Sequence, residues 1–234
     1  MRVYSAPPAP ARRGSGRPLK VLLLADKMSE PPATFTPGNE PYLGGPHLKA
    51  FDDLIIASMD VARLTSDATR SPDLTDLQRA AIQIVPQGFS LALSVRELIR
   101  QSYLFGSLTL LRPLAERSFT ILYLRLNSDA LSLWTAGWHY RKRPTLARMI
   151  EEIGGHKFPG VGREMTSKLN SVTHGDPDAA KWNIAFNTDG DALAPMGKVL
   201  TRPDLAESVS LDAATYLSML VSETCTVFPK ERRC

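Results

Sequence analysis

Apolar side chains recur at helical spacing along most of the chain, and the elements they predict are nearly all helices. Leu48, Phe51, Leu54, Ile55, Met59 and Ala62 share one face of a helix that begins near His47. Ser71-Pro72-Asp73 reads as a helix start, with Ser71 as N-cap and Pro72 at the first helical position. Leu74, Leu77, Ala81, Ile84 and Val85 then form a face, and Pro86 with Gly88 predicts a break before a further helix carrying Leu91, Val95, Leu98 and Ile99. The segment from Ser107 to Leu126 is apolar nearly all round, the pattern of a central, buried helix.

Past Asn127-Ser128-Asp129, a helix is expected to contain Trp134, Trp138, His139 and Tyr140. Pro144 opens the next at its first position, and that helix runs to Ile153 with Gly154-Gly155 as its stop. A short helix over 161–173 ends at Gly175-Asp176-Pro177, and Ser208 to Phe228 closes the chain as a helix. Between Trp182 and Leu200 the pattern alternates weakly and leaves two readings, a short strand pair or an irregular excursion. The fold class expected is therefore mainly all-α, a helical bundle over 48–228.

Residues 1–47 differ from the rest. Pro7, Pro8, Pro10, Pro18, Pro31, Pro32, Pro37, Pro41 and Pro46 lie there with several glycines, a composition that resists helix and sheet. A flexible basic arm is expected, with Leu19–Ala25 as a possible extended segment and Arg12, Arg13 and Arg17 supplying charge. The arm is either a solvated tail or a nucleic-acid contact. Residues 229–234 form a C-terminal tail.

Bulk properties narrow the class. The 234 residues are 43% hydrophobic and 22% charged, enough to build a sizeable core. A net charge of +4 does not oppose an anionic partner and does not demand one. Two cysteines, Cys225 and Cys234, argue against a secreted disulfide scaffold and for reduced thiols in a cytoplasm. The run Leu19–Ala25 is interrupted by Lys20 and followed by Asp26 and Lys27, unlike a signal peptide. No stretch approaches the roughly 20 apolar residues of a membrane span, so no membrane partner is expected.

Chemistry concentrates in two places. Arg112 and Glu116 are four apart on the apolar central helix, so they share a face. Charges there must be paired or hydrogen-bonded to other elements. They form either a buried pair that orients neighbouring helices or a polar pocket in which Arg112 holds an anion. The second place is Lys168 to His174, where Ser167, Asn170, Ser171 and His174 fall within reach of one helical face. His174 is read either as a helix-end cap or as an acid–base group. His139 and His156 have no ligand-spaced partners, so no metal is expected, and the absence of phosphate-loop and dinucleotide motifs leaves no cofactor expected. Arg141-Lys142-Arg143 is a basic cluster, either a solvated helix end or a phosphate contact.

The run Leu110-Leu111-Arg112-Pro113-Leu114-Ala115-Glu116, ending in Leu122-Tyr123-Leu124, with Ser171-Val172-Thr173-His174 further on, resembles a family of bacterial helical proteins related to the HEPN superfamily. The resemblance runs over roughly residues 48 to 228. It implies a helical bundle, a homodimer, and Arg112, Glu116 and His174 drawn into one polar site. It also implies metal-independent ribonuclease or RNA-binding activity in a toxin–antitoxin or antiphage setting. The sequence departs from the superfamily's Arg-then-His spacing: of Ser167, Lys168 and Leu169, only Lys168 is basic, and it lacks the bidentate fork of Arg. The catalytic set expected is His174, Arg112 and Glu116, with Lys168, Asn170 and Ser171 binding substrate. The competing expectation is a non-catalytic helical domain that engages a protein partner.

Overall fold

The computed structural model describes residues 34–139, 143–154, 160–174, 176, 179, 185–186, 192–193 and 197–229. Among them the chain forms seven helices: α1 (Pro46–Ala68), α2 (Asp76–Arg100), α3 (Leu104–Leu126), α4 (Ser128–Thr135), α5 (Leu146–Ile153), α6 (Val161–His174) and α7 (Pro203–Val227). Two short strands, β1 (Ala185–Phe186) and β2 (Ala192–Leu193), pair antiparallel with Ala185 opposite Leu193. The mainly all-α class is as expected, and the strand pair is the first of the two readings for that segment. The rest of 182–200 lies outside the described residues up to Gly197.

The all-round apolar helix takes the central place its pattern predicts. α3 packs against α2, α4, α5, α6 and α7. Leu104, Leu111, Leu114, Ile121 and Leu124 are sealed from solvent. α1 lies on α7, and α7 on α2 and α3, while α5 and α6 pair and cover another side of α3.

Several boundaries differ from expectation. α2 starts at Asp76 rather than after Ser71, because Thr75 and Gln78 form a capping box: Thr75 Oγ1 accepts from the Gln78 amide at 3.2 Å and Gln78 Oε1 from the Thr75 amide at 3.0 Å. Pro86 and Gly88 do not break the helix but lie inside α2. Pro86 removes the amide that would bond the Ile82 carbonyl, yet Val85, Phe89 and Ala92 are buried on both sides of it, and that burial carries the helix through. Gly88 is a packing residue, since a Cβ there would lie 2.4 Å from Cδ2 of Leu220 on α7.

α4 ends at Thr135, so Trp138 and His139 follow it, past a turn at Gly137 with φ +83°. Pro144 precedes α5 instead of opening it. Thr145 is the N-cap and accepts from the Arg148 amide at 3.2 Å. α7 begins at Pro203, earlier than Ser208.

Residues 34–45, expected within the flexible arm, pack onto the helices. Phe35 and Tyr42 are buried. The Phe35 amide donates to Gln101 Oε1 at 2.9 Å and Gln101 Nε2 donates back to the Phe35 carbonyl at 2.8 Å. The Tyr42 hydroxyl donates to the Val199 carbonyl. Two aromatics supply enough apolar surface to hold a stretch that its prolines and glycines keep non-helical. The arginines of the arm, Arg12, Arg13 and Arg17, and the segment Leu19–Ala25 lie outside the described residues.

α1 is capped from another helix. Glu207 of α7 accepts from the His47 and Leu48 amides at 2.8 and 3.4 Å. Gly45 makes room for it, because a Cβ there would meet Glu207 Oε1 at 1.8 Å.

Candidate functional site

The two stretches singled out in the sequence meet where α6 ends beside α3. Arg112 Nε donates to Glu116 Oε1 at 3.3 Å, and Arg112 Nη1 lies 3.0 Å from His174 Nε2. The i, i+4 spacing on α3 sets the first contact. The second joins residues 62 positions apart and depends on α6 docking on α3. Arg112 and Glu116 keep 27% and 21% of their side-chain surface exposed, and His174 is exposed. The pair is thus at the rim of the bundle, open to a ligand, although its helix is central.

Two further arginines close on the same carboxylate. Arg143 Nη2 lies 3.5 Å and Arg117 Nη1 3.9 Å from Glu116 Oε2. Arg117 also donates through Nε to Gln87 Oε1 of α2 at 2.8 Å. Arg112, Arg117 and Arg143 place three positive charges around the single negative charge of Glu116. That surplus, at a half-exposed surface, favours a multivalent anion such as a phosphodiester. Sequence reading missed Arg117 and left Arg143 either as a solvated helix-end charge or as a phosphate contact; their signals were adjacency to Glu116 and membership of the basic cluster at 141–143.

The expected substrate-binding residues divide differently. Lys168 reaches α7, with Nζ 3.1 Å from Asp212 Oδ2. Ser171 Oγ donates to the Lys168 carbonyl of its own helix at 2.9 Å, a local bond that helical serines commonly make. Asn170 is half-buried on α6. Trp134 and Trp138 pack against the core. Among the described residues, no group of three or more His, Cys, Asp or Glu is placed to hold a metal ion, and no helix is long and apolar enough to cross a membrane.

The contact between Arg112 and His174 has a defined polarity. A guanidinium only donates, so Nε2 must accept, which places the imidazole proton on Nδ1. Nε2 is thereby a lone pair held next to a cation at an exposed surface. If a phosphate drew Arg112 away, that lone pair would be released as a base. No family model, curated protein or solved structure matches the chain.

Proposed function

We propose that the protein binds RNA on the face formed by α3 and the end of α6, and cleaves it without a metal. The observation that carries this reading is the cluster itself: three guanidinium groups and an imidazole gathered about one carboxylate. Arg112 and Arg143 take the non-bridging oxygens of a phosphodiester, and Glu116 fixes Arg112. His174 Nε2 takes the proton of the ribose 2′-hydroxyl. O2′ attacks phosphorus, the P–O5′ bond breaks, and the departing 5′ oxygen takes a proton from the imidazolium. The products are a 2′,3′-cyclic phosphate and a 5′-hydroxyl end. The guanidinium that the HEPN pattern draws from a residue just before the histidine is offered here by Arg112 across the helix interface. This reading keeps the RNA-binding, HEPN-like character that the resemblance implies.

A second reading has its own support. Arg112 is already paired with both Glu116 and His174, and such a bridge ties α6 to α3 with no ligand at all. One experiment separates the two. The purified chain is incubated with total RNA in EDTA, and the 3′ ends of any fragments are mapped. The ribonuclease reading expects cyclic-phosphate ends from the wild type and a fall of roughly 10²-fold or more for His174→Ala at unchanged melting temperature. Equal cleavage by that variant removes His174 from the chemistry. No cleavage and no RNA retention by the wild type leaves the structural bridge.

A further inference from the structure

A cavity of about 450 Å³ opens beside the arginine cluster, between α3, α4, α5 and residues Trp138, Arg143 and Pro144. Arg143 belongs to both: it lines the cavity and lies 3.5 Å from Glu116. The volume is in the range of small-ligand sites. Its lining has two characters. Leu133, Trp138 and Pro144 supply apolar surface, and Trp138 packs against the core. Tyr123, Asn127, Asp129 and Glu152 supply acceptors and donors.

The polar groups are ordered. The Tyr123 hydroxyl donates to Glu152 Oε2 at 2.5 Å and accepts from Asn127 Nδ2 at 3.3 Å. Arg148 Nε holds the other Glu152 oxygen at 2.6 Å. Burial, with the neighbouring Glu152 carboxylate, holds the Tyr123 hydroxyl above its ordinary pKa, so it stays a donor. The Trp138 indole nitrogen is buried and has no hydrogen-bond partner.

The charges of the lining balance, with Arg143 and Arg148 against Asp129 and Glu152. The cavity therefore does not select a bare anion, unlike the cluster next to it. A lining that combines apolar surface with mixed donors and acceptors suits a flat heterocycle with polar groups on its rim. We infer that the cavity is a nucleobase subsite, filled by the base of the nucleotide whose phosphate rests on Arg143 and Arg112. The phosphate half of this assignment rests on the RNA reading of the α3–α6 face; the base half rests on the cavity.

The test uses the full chain and ligand-observed NMR titration with the four ribonucleosides and their 5′-monophosphates. The variants are Leu133→Trp, which fills the cavity mouth from an exposed position, and Arg112→Ala, which removes a phosphate contact. At least one nucleoside should bind, its monophosphate more tightly. Leu133→Trp should weaken both at least tenfold, and Arg112→Ala only the monophosphate. If no nucleoside or monophosphate binds at millimolar concentration, or if Leu133→Trp binds as the wild type does, the base subsite is overturned. If Leu133→Trp abolishes binding while Arg112→Ala changes nothing, the base subsite stands and the phosphate reading of the cluster falls.

Discussion

Arg112 Nη1 sits 3.0 Å from His174 Nε2, a contact between the middle of α3 and the last residue of α6. The contact assigns the histidine its tautomer and leaves the guanidinium with hydrogen-bond capacity for an incoming oxygen anion. Charge and geometry separate at this residue. Arg112→Lys keeps the charge but loses the fork, so RNA should still be retained while cleavage falls. Arg112→Ala should lower affinity and reduce the slope of log affinity against log salt by roughly 0.7–0.9, the share of one phosphate contact. Filter binding across a salt series measures both, and an unchanged slope places Arg112 outside the interface.

Glu40 shows how the segment before α1 is locked. Its side chain is 4% exposed, and Oε2 lies 2.8 Å from Arg96 Nη1. Arg96 also donates through Nη2 to Asp52 of α1 at 2.9 Å. Arg96→Met strands a buried carboxylate and should cost about 3–5 kcal/mol in urea denaturation. The double variant Glu40→Met/Arg96→Met should recover most of that loss. A double variant as unstable as the single one would show that the charge was not the cause.

Tyr42 makes stability fall at alkaline pH. Burial pushes its hydroxyl up to about 12. In the unfolded chain a tyrosine loses its proton near pH 10, so between roughly 10 and 12 the folded state holds a proton that the unfolded state has released. Stability is therefore full below pH 10 and declines through that window, by roughly 2–3 kcal/mol for this group. Tyr42→Phe should flatten the decline while lowering stability at neutral pH through the lost bond to Val199. Denaturation midpoints from pH 8 to 12 test it, and an identical decline in the variant rules Tyr42 out as its source.

Gly162 and Gly88 predict different costs for the same substitution. At Gly162 a Cβ would lie 2.4 Å from the Ala147 carbonyl oxygen, a backbone atom of α5 that moves only with its helix. At Gly88 the obstacle is a terminal methyl of Leu220, which a rotamer change relieves in part. Gly162→Ala should cost about 1–3 kcal/mol and Gly88→Ala less, the latter partly offset by the better helix propensity of alanine. Equal midpoints in urea would contradict the rigid seating of α6 on α5.

The helical class and the central place of α3 were legible because both follow from spacing along the chain. Leu108, Leu111, Leu114, Phe119 and Ile121 leave α3 no polar face wide enough for the surface, whatever surrounds it. The same short-range logic placed Arg112 over Glu116. It failed at Pro86 and Gly88, which are helix breakers by propensity but lie within α2, where burial and the Leu220 contact outweigh that preference. Asp212, the α7 partner of Lys168, was invisible from α6 alone.

The sequence by itself determined the helical class, the apolar character of α3 and the i, i+4 placement of Arg112 and Glu116, because each depends on residues within a turn or two of one another. Only the tertiary structure decided that His174 reaches Arg112, that Arg143 and Arg117 join Glu116, and that a cavity lies beside them. Those relations are made by docking α6, α5 and the segment after α4 onto α3. Docking is set by the shapes of several buried faces at once, down to a glycine at 88 or 162 that lets two backbones approach.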